Sequence, residues 1–555
     1  MKDLILKHAL ANAVEHEGKA DAGAVLGRVL AEKPELKEKI KEMVFEVKKI
    51  VKEVNSWSVK KQESRLKKFK YKKIEKVERI GLPPLPDAVK GKVVTRFPPY
   101  PSGALHIGNM KAAVTSYEYA RMYDGKFVVR VEDTDPDPEK IRKENIDLIK
   151  KDLDALGLKA DIFYLCSSQF EKQYKYAERL IKEGKAYVCT CKTTGVRDRT
   201  AITKEMCDCR NRSAEENLNL FKKMFEEFKE GEAVVRLKTD INDPNPALRD
   251  PALLRIKEGV HPITGKEHRV YPLYNFNCVV EDHDYGITHV LRGTEHAANT
   301  LIQKKIYEAL GWNNFPHVIN FGFLYMPGEK VHKRFIRDAI KGGKFTGWDD
   351  SRLGQYGLIR ALIRRGITPE AIKNMIIEMG VNPQTVHFEW EKLYTENRKI
   401  IDPIANRYFA VLEPVRISVE KAPKVKNVEA KLHPDFPKRG KRKIPVDIGK
   451  ICIEKEDFEK LKGKEIGLMN LFSVKLKKEP EFTSKKVKME SQKIQWVSEP
   501  NVKIKIIMPN GIEKEAVAEP DLKKIKEGQI VQLVRIGFCR VDKVNKDIVL
   551  YYAHK

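Results

Sequence analysis

The fourteen residues Arg96-Phe-Pro-Pro-Tyr-Pro-Ser-Gly-Ala-Leu-His-Ile-Gly-Asn109 hold the groups needed to grip a polyphosphate. The run Lys92–Phe97 predicts a buried strand, Ser102 and Gly103 a turn, and Leu105 to Tyr123 a helix. Backbone N–H groups and the positive dipole end at the start of such a helix favour an anion. Pro99 shapes the loop, Gly103 and Gly108 remove side chains where a nucleotide would lie, and His106 and Asn109 carry N–H donors for phosphate oxygens. Donors of this kind stabilise charge on an α-phosphate during in-line displacement, without proton transfer.

Three further groups of residues add chemistry. Arg130-Val-Glu-Asp-Thr-Asp-Pro136 brings carboxylates to the C-terminal end of a predicted strand, Phe127 to Glu132, where α/β sheets bind ligands and where Glu132 can hold an ammonium. Asp133 and Asp135 suit a turn or a helix cap equally well. Arg96, at the end of the preceding strand, offers a guanidinium that can clamp a carboxylate through two N–H groups. Cys189-Thr-Cys191 and Cys207-Asp-Cys209 present four thiolates from two short turns about fifteen residues apart, enough for a closed tetrahedral zinc site of structural type.

These groups need a scaffold larger than one core can organise. At 555 residues the chain calls for roughly three to five domains. Helical spacing of apolar residues runs from Met1 to about Lys90 and marks an appended helical domain, 1–90, closed by the linker Gly81-Leu-Pro-Pro-Leu-Pro86. Strand, turn, helix, strand then opens an α/β nucleotide-binding domain, 91–320, whose texture returns around Arg269–Val280, His289–Arg292 and Val318–Met326. The cysteine-bearing stretch, about 186–268, is expected to be an insertion into it. Residues 321–396 form a third region, and short β-prone runs in 397–555 predict antiparallel barrels.

Composition bounds the partners. An excess of 106 Lys and Arg over 79 Asp and Glu, a net charge of +27, makes nucleic acid the first candidate partner. No apolar run approaches the roughly 20 residues that span a bilayer, so no membrane association and a cytoplasmic location are expected. Eight cysteines in so long a chain do not make a secreted disulfide scaffold.

Pro-Ser-Gly-Ala-Leu-His-Ile-Gly-Asn resembles the H-I-G-H element of the class I aminoacyl-tRNA synthetases, within the glutamyl and glutaminyl pair, with Asn109 at the last position. Arg130-Val-Glu-Asp-Thr-Asp-Pro136 resembles the family's R-x-E-D-T-D-P element, and Asp135 leans towards the glutamyl branch. Glu329-Lys-Val-His-Lys-Arg-Phe-Ile-Arg337 stands where the family carries its K-M-S-K-S-like loop. Val331, His332 and Phe335 depart from the usual residues there, while Lys333 and Arg334 keep the positive charge. Gly347-Trp-Asp-Asp350, the helix with Arg360, Arg364 and Arg365, and Asn397–Arg407 resemble the region that contacts the tRNA stem and leads into two anticodon-binding barrels.

The resemblance implies a Rossmann-type catalytic domain with an inserted acceptor-binding domain, a helical N-terminal domain and C-terminal β-barrels. It implies a monomer that uses ATP and Mg2+ to join L-glutamate to tRNA-Glu, with tRNA-Gln open as a second substrate. By the same resemblance Arg96 meets the γ-carboxylate, Glu132 the α-amino group, and Tyr274 and Arg292 complete the amino-acid pocket. His106, Asn109 and Lys333 act on the phosphates with Pro99, Gly103, Gly108 and Arg334 around them. Two alternatives stay open at this level, a glutaminyl-tRNA synthetase and a catalytically weak tRNA-binding paralogue.

Overall fold

Runs of β-branched residues that are apolar on both faces belong in the middle of a covered parallel sheet. Five such runs form it: β1 (Val94–Phe97), β2 (Lys126–Val131), β3 (Ile162–Leu165), β8 (His289–Gly293) and β9 (His317–Phe321), in the order β3-β2-β1-β8-β9. All four pairings are parallel. The computed structural model describes the chain apart from residues 1, 34–35, 37–39, 70–80, 139–140, 192–205, 328–332, 420 and 546. Residues 70–80 of the expected helical domain and the signature-loop residues Glu329 to His332 therefore lie outside the described residues.

The strand order reverses beside β1, so the crevice between the carboxyl ends of β1 and β8 is where a doubly wound sheet takes a ligand. The helix Ile107–Met122 leaves the end of β1 and covers one face with Ile107, Met110 and Val114. Helix Lys143–Ala155 adds Ile149 and Leu153 to the same core.

Between β3 and β8 the chain departs into a second, antiparallel sheet, β4 (Ala186–Cys189), β5 (Val234–Leu237), β6 (Ala252–Ile256) and β7 (Val270–Pro272). The return of α/β texture near Arg269 is thus only half right. Val270–Pro272 pairs antiparallel with β6, with Arg255 opposite Tyr271, rather than joining the parallel sheet. The inserted sheet therefore ends at Pro272, a few residues beyond 268, and the helix Tyr274–Asp284 carries the chain back to β8.

Beyond the helix Trp390–Ile401 the chain is β-rich. A seven-stranded sheet has Asn406–Tyr408 at one edge and Ala410–Leu412 at the other. Only Phe409 separates these two edges in sequence, so the sheet curls on itself around Ile504, Ile506, Val531 and Leu550. A second β layer closes on Ile444, Ile451, Leu468 and Trp496.

The N-terminal residues form a separate compact unit of helices Lys2–Glu15, Ala22–Glu32, Ile40–Asn55 and Val59–Lys67. Its core is Ile5, Leu10, Val25, Val29, Met43, Val47 and Val54, and Asp21 caps the second helix by accepting the Ala24 N–H at 2.8 Å. Among the described residues no helix is long and apolar enough to cross a membrane.

Candidate active site

The phosphate loop is built by its own polar residues. His106 is the N-cap of the helix Ile107–Met122: its Nδ1 accepts the Gly108 N–H at 3.0 Å, and the Asn109 side-chain oxygen accepts the His106 N–H at 3.2 Å. Two otherwise orphan donors are satisfied reciprocally, which gives Asn109 a capping role that needs no second histidine. With Nδ1 accepting, the neutral ring carries its proton on Nε2. Burial, with the nearby Lys333 charge, pushes the imidazole down to about 4, so the ring is neutral near pH 7 and donates from Nε2.

The two glycines are also required locally. A Cβ on Gly108 would lie 2.8 Å from the His106 ring, and one on Gly103 would lie 2.6 Å from the Trp348 ring, which covers the loop. Gly103 also holds φ +148, open to glycine but strained for other residues. Pro99 is buried, and its carbonyl accepts the Glu132 N–H at 3.0 Å, tying the loop to the end of β2.

Lys333 begins the helix Lys333–Lys341 and is half-buried. Its ammonium is felt electrostatically by both His106 and Asp152, and burial lowers it to about 8. Arg334 is not gathered into the site: its side chain is 83% exposed and stands 4.0 Å from Asp338.

The second half of the site is a buried set of charges at the ends of β1, β2 and β8. Arg130 sits between two carboxylates, 2.9 Å from Asp282 and 3.2 Å from Glu132. Asp282 also lies 3.5 Å from Arg96 Nε. The Asn277 side-chain nitrogen donates to Glu132, 3.1 and 2.9 Å from its two carboxylate oxygens. Arg96 and Arg292 are buried, yet Nε and Nη2 of Arg96 and Nε and Nη1 of Arg292 have no hydrogen-bond partner among the described residues. Arg292 uses only Nη2, towards Thr300 and Gln303. Burial and the like charge of Arg96 push Arg292 down, and the carboxylate nearest Arg96, Asp282, is shared with Arg130, so among the described residues neither guanidinium has a carboxylate to itself. Tyr274 lies in the same field, close enough to Arg96, Glu132 and Arg292 to respond to each, and burial raises its phenol.

Other expectations resolve differently. The Asp133 carboxylate accepts Ser167 N–H at 2.9 Å and its hydroxyl at 2.6 Å, which makes it a turn anchor. Asp135 accepts the Asp137 N–H at 3.1 Å within a turn. The three arginines expected on a basic helix face have protein partners: Arg360 with Asp152, Arg364 with Asp542 and Asp349, Arg365 with the Tyr552 and Ala553 carbonyls. Asn277, Asp282 and Trp348 escaped as site residues. The Glu281-Asp282 pair among apolar residues of one helix was the available sign that carboxylates point inward there.

The thiols of Cys189, Cys191, Cys207 and Cys209 lie within 4.8 Å of one another. Cys189–Cys207 and Cys191–Cys209 are 3.7 and 3.8 Å apart, close to the spacing of about 3.8 Å that four Zn–S bonds of roughly 2.3 Å impose. Cys191–Cys207 is shorter, at 3.0 Å. The Thr190 N–H points at the Cys209 sulfur from 3.5 Å, as suits a thiolate, so the donor set fits zinc.

Comparison with known proteins places this geometry. Residues 92–403 match the family model for the catalytic domain of tRNA synthetases class I (E and Q), and 405–493 and 493–542 match two models of that family's anti-codon binding domain. Glutamate--tRNA ligase of Pyrococcus furiosus is 45% identical over 580 residues, and that of Methanothermobacter marburgensis 41% identical over 560, each alignment covering 100% of both chains. The chain belongs to the class I tRNA synthetases of the E and Q family, enzymes with a parallel-sheet catalytic domain and β-rich anticodon-binding domains.

The buried carboxylates give a pH prediction. Burial pushes Glu132 up to about 7, against the pull of Arg130. An ammonium prefers the ionised carboxylate, so protonation of the empty site competes with binding. Affinity for L-glutamate, measured with tRNA present from about pH 5.5 to about 8.5, should weaken as pH falls through 7, approaching tenfold per unit at the acid end. Affinity that is flat across this range removes Glu132 from the ammonium contact.

Proposed function

We propose that this chain ligates L-glutamate to the 3′ end of tRNA. The glutamate α-carboxylate attacks the α-phosphorus of ATP and expels pyrophosphate. The terminal ribose hydroxyl of the tRNA then attacks the activated carbonyl and releases AMP. The observation that carries the amino-acid choice is the pair of buried guanidiniums, Arg96 and Arg292, with four nitrogens that have no hydrogen-bond partner among the described residues. A γ-carboxylate supplies the missing charge and acceptors, whereas a glutamine amide would bring no charge and its own donors. That disfavours the glutaminyl alternative, in accord with relatives named as glutamate ligases over their whole length.

His106 donates to phosphate from Nε2, Lys333 adds charge against the pyrophosphate, and Asn109 works through the cap that orients His106. Glu132 takes the α-ammonium and Tyr274 walls the pocket. Mg2+ supplies charge neutralisation on the polyphosphate when bound. Orientation and charge complementarity carry the reaction, with no covalent enzyme intermediate.

The remaining regions divide the tRNA among them. The inserted sheet, from Ala186 to Pro272, takes the acceptor end, 321–396 the stem and 397–555 the anticodon. A cavity of about 920 Å3 within the last region is lined by Arg407, Lys485, Lys486 and Lys493 with Phe409 and Met469, a mixture of cations and flat or soft apolar groups suited to unstacked bases. The helical unit 1–90 is an accessory to this body. We read the protein as a cytoplasmic monomer that charges tRNA-Glu, with tRNA-Gln the second substrate to assay.

The direct test is charging of both purified tRNAs with glutamate and with glutamine. Glutamate should be transferred to tRNA-Glu, and Arg96→Ala should lower kcat/KM for glutamate by about a hundredfold or more, the scale of one buried charge left unpaired. Unchanged glutamate kinetics in that variant, or preferential transfer of glutamine, refutes the pocket assignment. A structural zinc held by the four cysteines predicts close to one equivalent in protein prepared without added metal. Replacing Cys189 and Cys209 by Ser should release it and lower the melting temperature, and a metal-free preparation of unchanged stability contradicts the site.

A further inference from the structure

Asp152 lies on the helix Lys143–Ala155, outside every motif that points to the site, and its carboxylate has no solvent exposure. One oxygen accepts the Leu105 N–H at 2.9 Å, and the other accepts Arg360 Nε at 2.7 Å. Leu105 immediately precedes His106. Its carbonyl accepts the Ile359 N–H at 3.0 Å, and the Ile107 N–H reaches the Gly357 carbonyl at 2.9 Å. Residues on both sides of the phosphate-facing histidine are thus pinned to the segment 357–360, and Asp152 joins that segment to the loop.

Lys333 lies within electrostatic reach of the same carboxylate, which is the opposite charge that works against the effect of burial on its ammonium. Two cations therefore answer one buried carboxylate, Arg360 by direct contact and Lys333 through longer-range charge. Arg360 holds it through a hydrogen bond, so Lys333 is attracted to the site without being locked in it. A polyphosphate brings more negative charge than Asp152 and can draw the lysine onward.

We propose that Asp152 is a positioning residue for adenylate formation: it fixes the backbone that presents His106 and keeps Lys333 beside the phosphate loop before ATP arrives. This rests on the reading of the chain as a glutamate–tRNA ligase that uses Lys333 on the phosphates. Asp152 touches no substrate and works through these two groups. Asparagine would retain the size of the side chain, but it would remove the charge and turn an amide donor towards one of the two N–H groups that the carboxylate now accepts.

The test is tRNA charging by the full chain at saturating tRNA, with ATP and glutamate varied separately, for wild type, Asp152→Asn, Lys333→Ala and the double variant. Asp152→Asn should lower kcat/KM for ATP by about tenfold or more while KM for glutamate stays within about twofold. The loss in the double variant should fall well short of the product of the single losses, because Asp152 acts partly through Lys333. ATP kinetics within about twofold of wild type, or losses that multiply, overturn the inference. Should Asp152→Asn fail to fold by circular dichroism, Arg360→Gln takes its place. That variant frees one carboxylate oxygen to hold Lys333 back, and it should cost about threefold or more in kcat/KM for ATP with KM for glutamate unchanged. No effect on ATP there is equally fatal. A wild-type protein that charges no tRNA refutes the ligase reading itself and this inference with it.

Discussion

An arginine can be buried only if something answers its charge, and in this enzyme the answer is deliberately incomplete. Arg130 is paired with Asp282 and Glu132, which makes it a structural cation. Arg96 has only a share in Asp282 at 3.5 Å, and Arg292 meets neutral oxygens alone. The cost of burying such groups is several kcal/mol each when no partner relieves it. The fold accepts that cost between the carboxyl ends of β1 and β8, and on the proposed reading the substrate's side-chain carboxylate supplies the partner. The rest of the catalytic domain keeps these charges in place. Parallel strands covered by helices hold Arg96 and Arg292 on rigid backbone, and Asn277 and Arg130 fix Glu132 opposite them.

The phosphate half of the site follows a different logic. On the proposed reading it relies on neutral donors and one lysine charge rather than on fixed pairs. A helix start capped by His106 and Asn109 presents an imidazole N–H and a dipole without a permanent cation, while Lys333 contributes charge from an adjacent segment. Amino-acid selection is therefore rigid and preorganised. Phosphate stabilisation can strengthen as pyrophosphate separates, which is where transition-state binding exceeds ground-state binding.

Much of this was legible in the sequence wherever chemistry is local. The strand, loop and helix of Arg96 to Met122 followed from spacing, since caps, turns and apolar periodicity act within a few residues. The four cysteines likewise announced their cluster by spacing alone. What stayed hidden depends on contacts between distant segments. Asp282 meets Arg130 across 152 positions, and Arg360 meets Asp152 across 208. A run of arginines reads as a solvated or RNA-facing surface until the fold supplies Asp152, Asp542 and two strand carbonyls as partners. Val270–Pro272 misled for a similar reason, because a short apolar strand does not say which of two sheets it will join.

The central claim is that an anion deficit at Arg96 and Arg292 selects the side-chain carboxylate. Calorimetric binding of two unreactive adenylate analogues, glutamyl-sulfamoyl-adenosine and glutaminyl-sulfamoyl-adenosine, to the tRNA-bound enzyme isolates that pocket from the chemical step. The two ligands differ only at the terminal group of the side chain. The glutamyl analogue should bind about a hundredfold tighter or more, the scale of one buried charge pair. Equal affinities, or a preference for the glutaminyl analogue, would mean that the unpaired guanidiniums do not read the substrate's charge.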